Sequence, residues 1–183
     1  MPLGAIRSWL GLDRRDEPEP APLRELIEAL DRLDPDRARY LARFAYLLGR
    51  VAHADRHVSD EERTAMEALV SQHGGLSAEQ AMLVVSLART SNLLFGGTAD
   101  FIVAQEFAAS AQYEEKLALA RCLFAVGAAD RAISMAEEAE IHRIVNHLKV
   151  LPADLTRLRL EHREFLPGLA KSEKVEEMEK WKQ

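Results

Sequence analysis

The chain states one passage twice. Val51-Ala52-His53-Ala54-Asp55-Arg56-His57-Val58-Ser59-Asp60-Glu61-Glu62 returns 75 residues later as Val126-Gly127-Ala128-Ala129-Asp130-Arg131-Ala132-Ile133-Ser134-Met135-Ala136-Glu137. The two copies share Val, Ala, Asp, Arg, Ser and Glu, with a β-branched residue before each Ser. In the same register Val70 matches Val145, Leu76 matches Leu151 and Ala78 matches Ala153. A repeat this long duplicates a supersecondary unit rather than a short motif, so the two copies are expected to pack around a pseudo-two-fold axis.

The residues around the repeat carry helical signals. Leu41, Phe44, Leu48 and Val51 step by three or four, and so do Leu119, Leu123 and Val126, as apolar stripes of helices do. Asp34-Pro35 reads as an N-cap followed by proline at the first helical position. Ser77-Ala78-Glu79-Gln80 reads as a capping box, and Gly74-Gly75 as a helix stop. These signals predict helices over Leu23–Leu33, Pro35–Ala54, Ser59–His73, Ser77–Thr90, Ala99–Ala109, Tyr113–Ala129, Ser134–Leu148 and Pro152–Phe165. Met82-Leu83-Val84-Val85 is the nearest thing to a strand, but it lacks alternation and lies inside a capped helical pattern. The expected fold is all-α: a bundle of seven to eight helices with an internal pseudo-two-fold repeat.

Three segments are expected: a tail and Pro/charged linker over 1–22, the helical domain over 23–166, and a charged tail over 167–183. The net charge of −6 gives no basic footprint for nucleic acid. A single cysteine, Cys122, cannot form an intrachain disulfide. No apolar run approaches the roughly 20 residues of a membrane span. The Trp9 segment is too short and too weakly basic for stable membrane binding, so membrane contact is expected to be indirect or peripheral at most. A cytoplasmic location follows as the expectation.

Four carboxylates occupy equivalent places: Asp55 and Glu62, then Asp130 and Glu137. Each Asp ends a core-facing stripe, where the negative end of the helix dipole opposes it. Each Glu opens the stripe of the next helix. Brought together by the axis, the four would form a cluster of hard oxygen donors suited to a divalent cation, calcium foremost. The same residues support a metal-free reading. Ser59-x-x-Glu62 and Ser134-x-x-Glu137 are capping boxes, and both Asp residues can accept from loop amides. The loop is not an EF-hand, because acidic residues at the third and fifth positions, Gly at the sixth and Glu at the twelfth are missing. His53 and His57 flank Asp55, but Ala128 and Ala132 replace them in the second copy, so a symmetric function does not need them. His142 and His147 have no nucleophile spaced for a triad, and neither a phosphate loop nor HExxH is present. A non-enzymatic protein is expected.

The paired A-D-x-x-[VI]-S-x-x-E motif, continued by Ile141-His142-Arg143-Ile144-Val145-Asn146-His147-Leu148, resembles the TerB-like family of tellurite-resistance proteins over about Arg39 to Leu166. The resemblance implies an all-helical pseudo-symmetric fold. It also implies an acidic cluster proposed to bind divalent metal, here Asp55, Glu62, Asp130 and Glu137. It further implies a role in stress responses through protein partners, without established enzymatic activity. The His-Pro-Asp signature of a J domain is missing. One departure stands out: the family's usual Gly after the Asp is replaced by Arg56 and Arg131. Arginine disfavours a left-handed backbone, which predicts that the last helical turn continues and that each Arg pairs with its neighbouring carboxylate.

Overall fold

The computed structural model describes residues 21–52, 60–91 and 100–167. They form eight α-helices and no strand: α1 (Ala21–Asp31), α2 (Pro35–Ala52), α3 (Asp60–Gly74), α4 (Ala78–Ser91), α5 (Asp100–Ser110), α6 (Tyr113–Gly127), α7 (Met135–His147) and α8 (Pro152–Glu161), followed by a 3-10 turn over Arg163–Phe165. The all-α bundle expected from the periodicity is the fold found. The Trp9 segment, the Asn92–Thr98 loop, His53, Asp55, His57 and the charged tail lie outside the described residues.

Helix starts follow the caps. Asp34 Oδ1 accepts from the amides of Asp36 at 2.9 Å and Arg37 at 3.3 Å, which opens α2. At α4 only half of the expected box forms. Gln80 N donates to Ser77 Oγ at 3.2 Å, but the Gln80 side chain turns away and takes Arg37 Nη2 at 2.5 Å. A charge-assisted bond to another helix has displaced the reciprocal cap. Glu115 supplies a cap that the sequence pattern did not suggest, accepting from Gln112 N at 2.8 Å at the start of α6.

The core is built on α2. Its expected stripe is shut off from solvent, with Leu41, Phe44 and Leu48 at 0% exposure and Val51 at 1%. Ala45, Tyr46 and Leu47 on its other faces are buried too, because α2 touches α1, α4, α5, α6 and α7. The repeat shows in the packing. Helix α4 lies on α2 as α8 lies on α6, while α3 crosses to α6 and α7 crosses to α2. This exchange is what a pseudo-two-fold axis requires. Tyr113 ties the second half together: its hydroxyl donates to Asp154 Oδ2 at 2.5 Å and accepts from Leu151 N at 3.1 Å.

The register of the repeat slips by one residue after Val70 and Val145. Leu76 is buried at 5%, yet Leu151, its partner in the sequence register, is 57% exposed, and Val150 fills the equivalent place at 8%. Both helices end in a left-handed residue, Gly75 at φ 62° and Lys149 at φ 58°, but α7 reaches its stop one residue sooner. At Lys149 the bonds Val150 N to Val145 O (3.4 Å) and Lys149 N to Asn146 O (3.1 Å) form a Schellman cap. Two further ends come earlier than periodicity suggests. Helix α6 stops at Gly127 rather than Ala129, because Ala128 leaves helical geometry at φ −90°, ψ 0°. Helix α8 stops at Glu161, where the His162 ring stacks on Phe124 at 5.5 Å and its Nδ1 meets Leu158 O at 2.9 Å.

His73, in the last turn of α3, faces His162 after α8 and Arg121 of α6. Burial, then His162 and Arg121, push its pKa below the ordinary value of 6.5, and Glu161 opposes them only partly. The folded chain therefore binds this proton less readily than the unfolded chain does. Its contribution to stability is complete above pH 6.5 and is lost as the pH falls through that value toward the lower folded pKa. Urea midpoints are expected to fall on acidification across this window, and His73→Gln is expected to flatten that fall. An unchanged slope in the variant would assign the acid sensitivity elsewhere.

Candidate functional site

The second copy of the repeated motif is a short loop between α6 and α7. Ser134 is the N-cap of α7: its Oγ accepts from Glu137 N at 3.2 Å, while Glu137 Oε2 accepts from Ser134 N at 2.8 Å. The reciprocal capping box is thus formed. Asp130 Oδ1 accepts from Ala132 N at 3.1 Å and folds the loop back on itself. Asp130 lies exposed beyond the end of α6, rather than on that helix's inward face, and Glu137 is half-buried. The residue that does point inward is Ile133, only 2% exposed. Its amide donates to Phe165 O at 2.8 Å, strapping the loop to the final 3-10 turn.

Arg131 corrects an expectation. It adopts φ 66°, the left-handed backbone that glycine favours, with its amide bonded to Ala128 O at 2.9 Å. The helical turn does not continue, and among the described residues Arg131 forms no ion pair with Asp130. The loop closes only if the chain reverses here, so local geometry prevails over the side chain's preference. Arg131→Gly is expected to raise stability by about 0.5–1 kcal/mol, the steric relief exceeding the added freedom of the unfolded chain. Lys149→Gly at the other left-handed position is expected to act alike, and thermal melts of both variants check this.

The first copy is reached only in part. Asp55 lies outside the described residues, and of Glu62 only the backbone, within α3, is described. Among the described residues no three or more His, Cys, Asp or Glu side chains converge as a metal site would require. The structure thus places Asp130 in the α6–α7 loop and Glu137 in the first turn of α7, each bonded to a nearby amide.

These motifs, their spacing and their helices can be set against known proteins. A family model described as Tellurite resistance protein TerB matches residues 41–160. The chain belongs to the TerB family. No curated protein and no solved structure matches it significantly. The TerB match runs from Leu41 in α2 to Leu160 in α8, so it takes in both copies of the repeat and leaves α1 outside.

The TerB unit also holds charged contacts that sequence reasoning missed. Glu140 of α7, 8% exposed, accepts from Arg50 Nε of α2 at 3.3 Å and pairs with Arg143 Nη2 at 2.6 Å. Arg159 of α8 reaches Glu138 Oε1 of α7 at 2.6 Å. Arg50 lies on the same helical face as Arg39 and Arg43, so its charge gives no particular signal of a buried pair. The partner, 90 residues away, was not readable. Cys122 is a packed core thiol. Burial pushes its pKa up to about 12 against the opposing influence of Arg121, so the reactive thiolate is suppressed.

Proposed function

We propose that this TerB-family chain is a non-enzymatic interaction module, acting in the cytoplasm through a protein partner. In this reading the repeated Asp-x3-Ser-x2-Glu motifs serve as helix caps. One observation carries it: in the second motif both carboxylates accept hydrogen bonds from amides of the α6–α7 loop. A capping residue of this kind is worth about 1 kcal/mol, enough to account for such a motif without a ligand. Met135, the first residue of α7, is 78% exposed beside this loop and gives the motif an apolar contact point for a partner. Among the described residues no helix is long and apolar enough to cross a membrane. A part in tellurite resistance is suggested by the family's name alone.

A second reading makes Asp55, Glu62, Asp130 and Glu137 a site for a divalent cation, calcium foremost. It is favoured by the exposure of Asp130, only one of whose oxygens is engaged by the loop. Thermal unfolding in chelator, then in calcium, magnesium, manganese and zinc, separates the two. The cap reading expects a flat response to every ion. It also expects Ser134→Ala to lose about 1 kcal/mol in all conditions. A saturable rise with one ion, about 2.7 kcal/mol at a hundredfold excess over Kd, would replace it with the cation reading. Loss of that rise in Asp130→Asn would assign the ion to this loop.

A further inference from the structure

Away from the repeated loops, the N-terminal half of α2 and the first turn of α6 flank a cleft of about 440 Å³. This is within the size range of small-molecule sites. Arg37, Arg39 and Arg43 line it from α2, together with the Tyr40 ring, and Ser110 lines it from the end of α5. Two carboxylates share the wall, and both are engaged. Asp36, 86% exposed, pairs with Arg39, while Glu115 accepts from Gln112 N at 2.8 Å.

The donors are less fully used. Arg37 bonds a neutral partner, the Gln80 amide oxygen, at 2.5 Å, and its guanidinium lies 4.8 Å from the Tyr40 ring centre. Arg43 Nη2 pairs with Glu106 at 2.9 Å and Nη1 reaches Ser110 Oγ at 3.2 Å. Its Nε–H is shut off from solvent, so Arg43 offers the cleft only the remaining Nη protons, while Arg37 carries no carboxylate partner among the described residues. The positive ends of two long helices add to this side of the balance. The Tyr40 ring is itself held rigidly, packed on Phe44 and Phe107 at centroid distances of 5.9 and 5.3 Å.

We propose that this cleft binds a soluble phosphomonoester, with Arg37 and Arg43 holding the phosphate and the Tyr40 ring flanking the attached carbon skeleton. Phosphate fits better than carboxylate because three terminal oxygens can serve several guanidinium donors at once. A soluble ester fits better than a lipid headgroup because the chain's net charge of −6 opposes approach to an anionic membrane surface.

The test is an NMR titration of the full chain with glycerol phosphate, alongside vesicles containing phosphatidic acid. Saturable shifts at residues 36–43 and 110–115 are expected with glycerol phosphate. Arg37→Gln should weaken binding by about tenfold, the loss of one charge-assisted contact. Glu115→Gln, which removes a like charge from the wall, should tighten it. Arg157→Gln, an equal change of charge outside the cleft, should leave it unchanged. No saturable shift at millimolar ester, binding to vesicles alone, or equal weakening in Arg37→Gln and Arg157→Gln would each overturn the proposal.

Discussion

Phe44→Ala is expected to lower the unfolding free energy by about 3–5 kcal/mol, the largest effect of any single substitution considered for this chain. Phe44 is fully buried near the middle of α2. Its ring lies 5.9 Å from that of Tyr40 and 6.4 Å from that of Phe107, in an edge-on arrangement with the latter. Gly74 closes over it so tightly that a Cβ there would stand 3.2 Å from Phe44 Cζ and 3.2 Å from Cys122 Sγ. Because the surrounding helices are held by several neighbours each, the space cannot collapse, and the cavity adds to the lost transfer energy. A domain at the low end of ordinary stability, about 5 kcal/mol, would be brought close to unfolding. The urea midpoint should fall with little change in slope. Met82→Ala, at a half-exposed position, should stay within about 0.5 kcal/mol of the parent. A comparable loss in both variants would refute the central role of α2.

Ile133→Ala is expected to cost about 2–4 kcal/mol, more than removal of either polar residue of the same loop. The motif draws the eye through its charged letters, but magnitudes favour the β-branched one. Ser134→Ala removes a cap worth about 1 kcal/mol, whereas Ile133 is a fully buried side chain packed near Gly127. Ile133→Val should cost only about 0.5–1.5 kcal/mol. Chemical denaturation of Ile133→Ala, Ile133→Val and Ser134→Ala gives the order. If Ser134→Ala proved the most damaging, the loop would be held by its hydrogen bonds rather than by its apolar plug. Native-state hydrogen exchange adds a spatial check: Ile133→Ala should also loosen the 3-10 turn, because the Ile133 amide donates to Phe165 O.

The parts of the site that were readable in sequence are those made by residues close together in the chain. Ser134 and Glu137 are three apart, so their reciprocal bonds need only the local start of a helix. Asp34 before Pro35 is legible for the same reason. Asp130 departs from the helical periodicity because the chain has already left the helix after Gly127. The left-handed Arg131 could not be foreseen from its own preferences, since the reversal is imposed by Ile133 entering the core and by its bond to Phe165.

Sequence alone determined the all-α class, the eight helices and the duplicated unit. Each of these rests on short-range rules: apolar residues recurring every three or four positions, side chains that satisfy the first amides of a helix, and glycine where the backbone must reverse. Tertiary structure decided the rest. It made α2 the helix surrounded on every side, slipped the repeat by one residue so that Val150 rather than Leu151 answers Leu76, and drew Gln80 from its cap to Arg37. It also joined Arg50 to Glu140 and opened the arginine-lined cleft between the N-terminal half of α2 and the first turn of α6. These outcomes depend on contacts between residues some 40 to 90 positions apart, and no local pattern encodes which distant partner a side chain will meet.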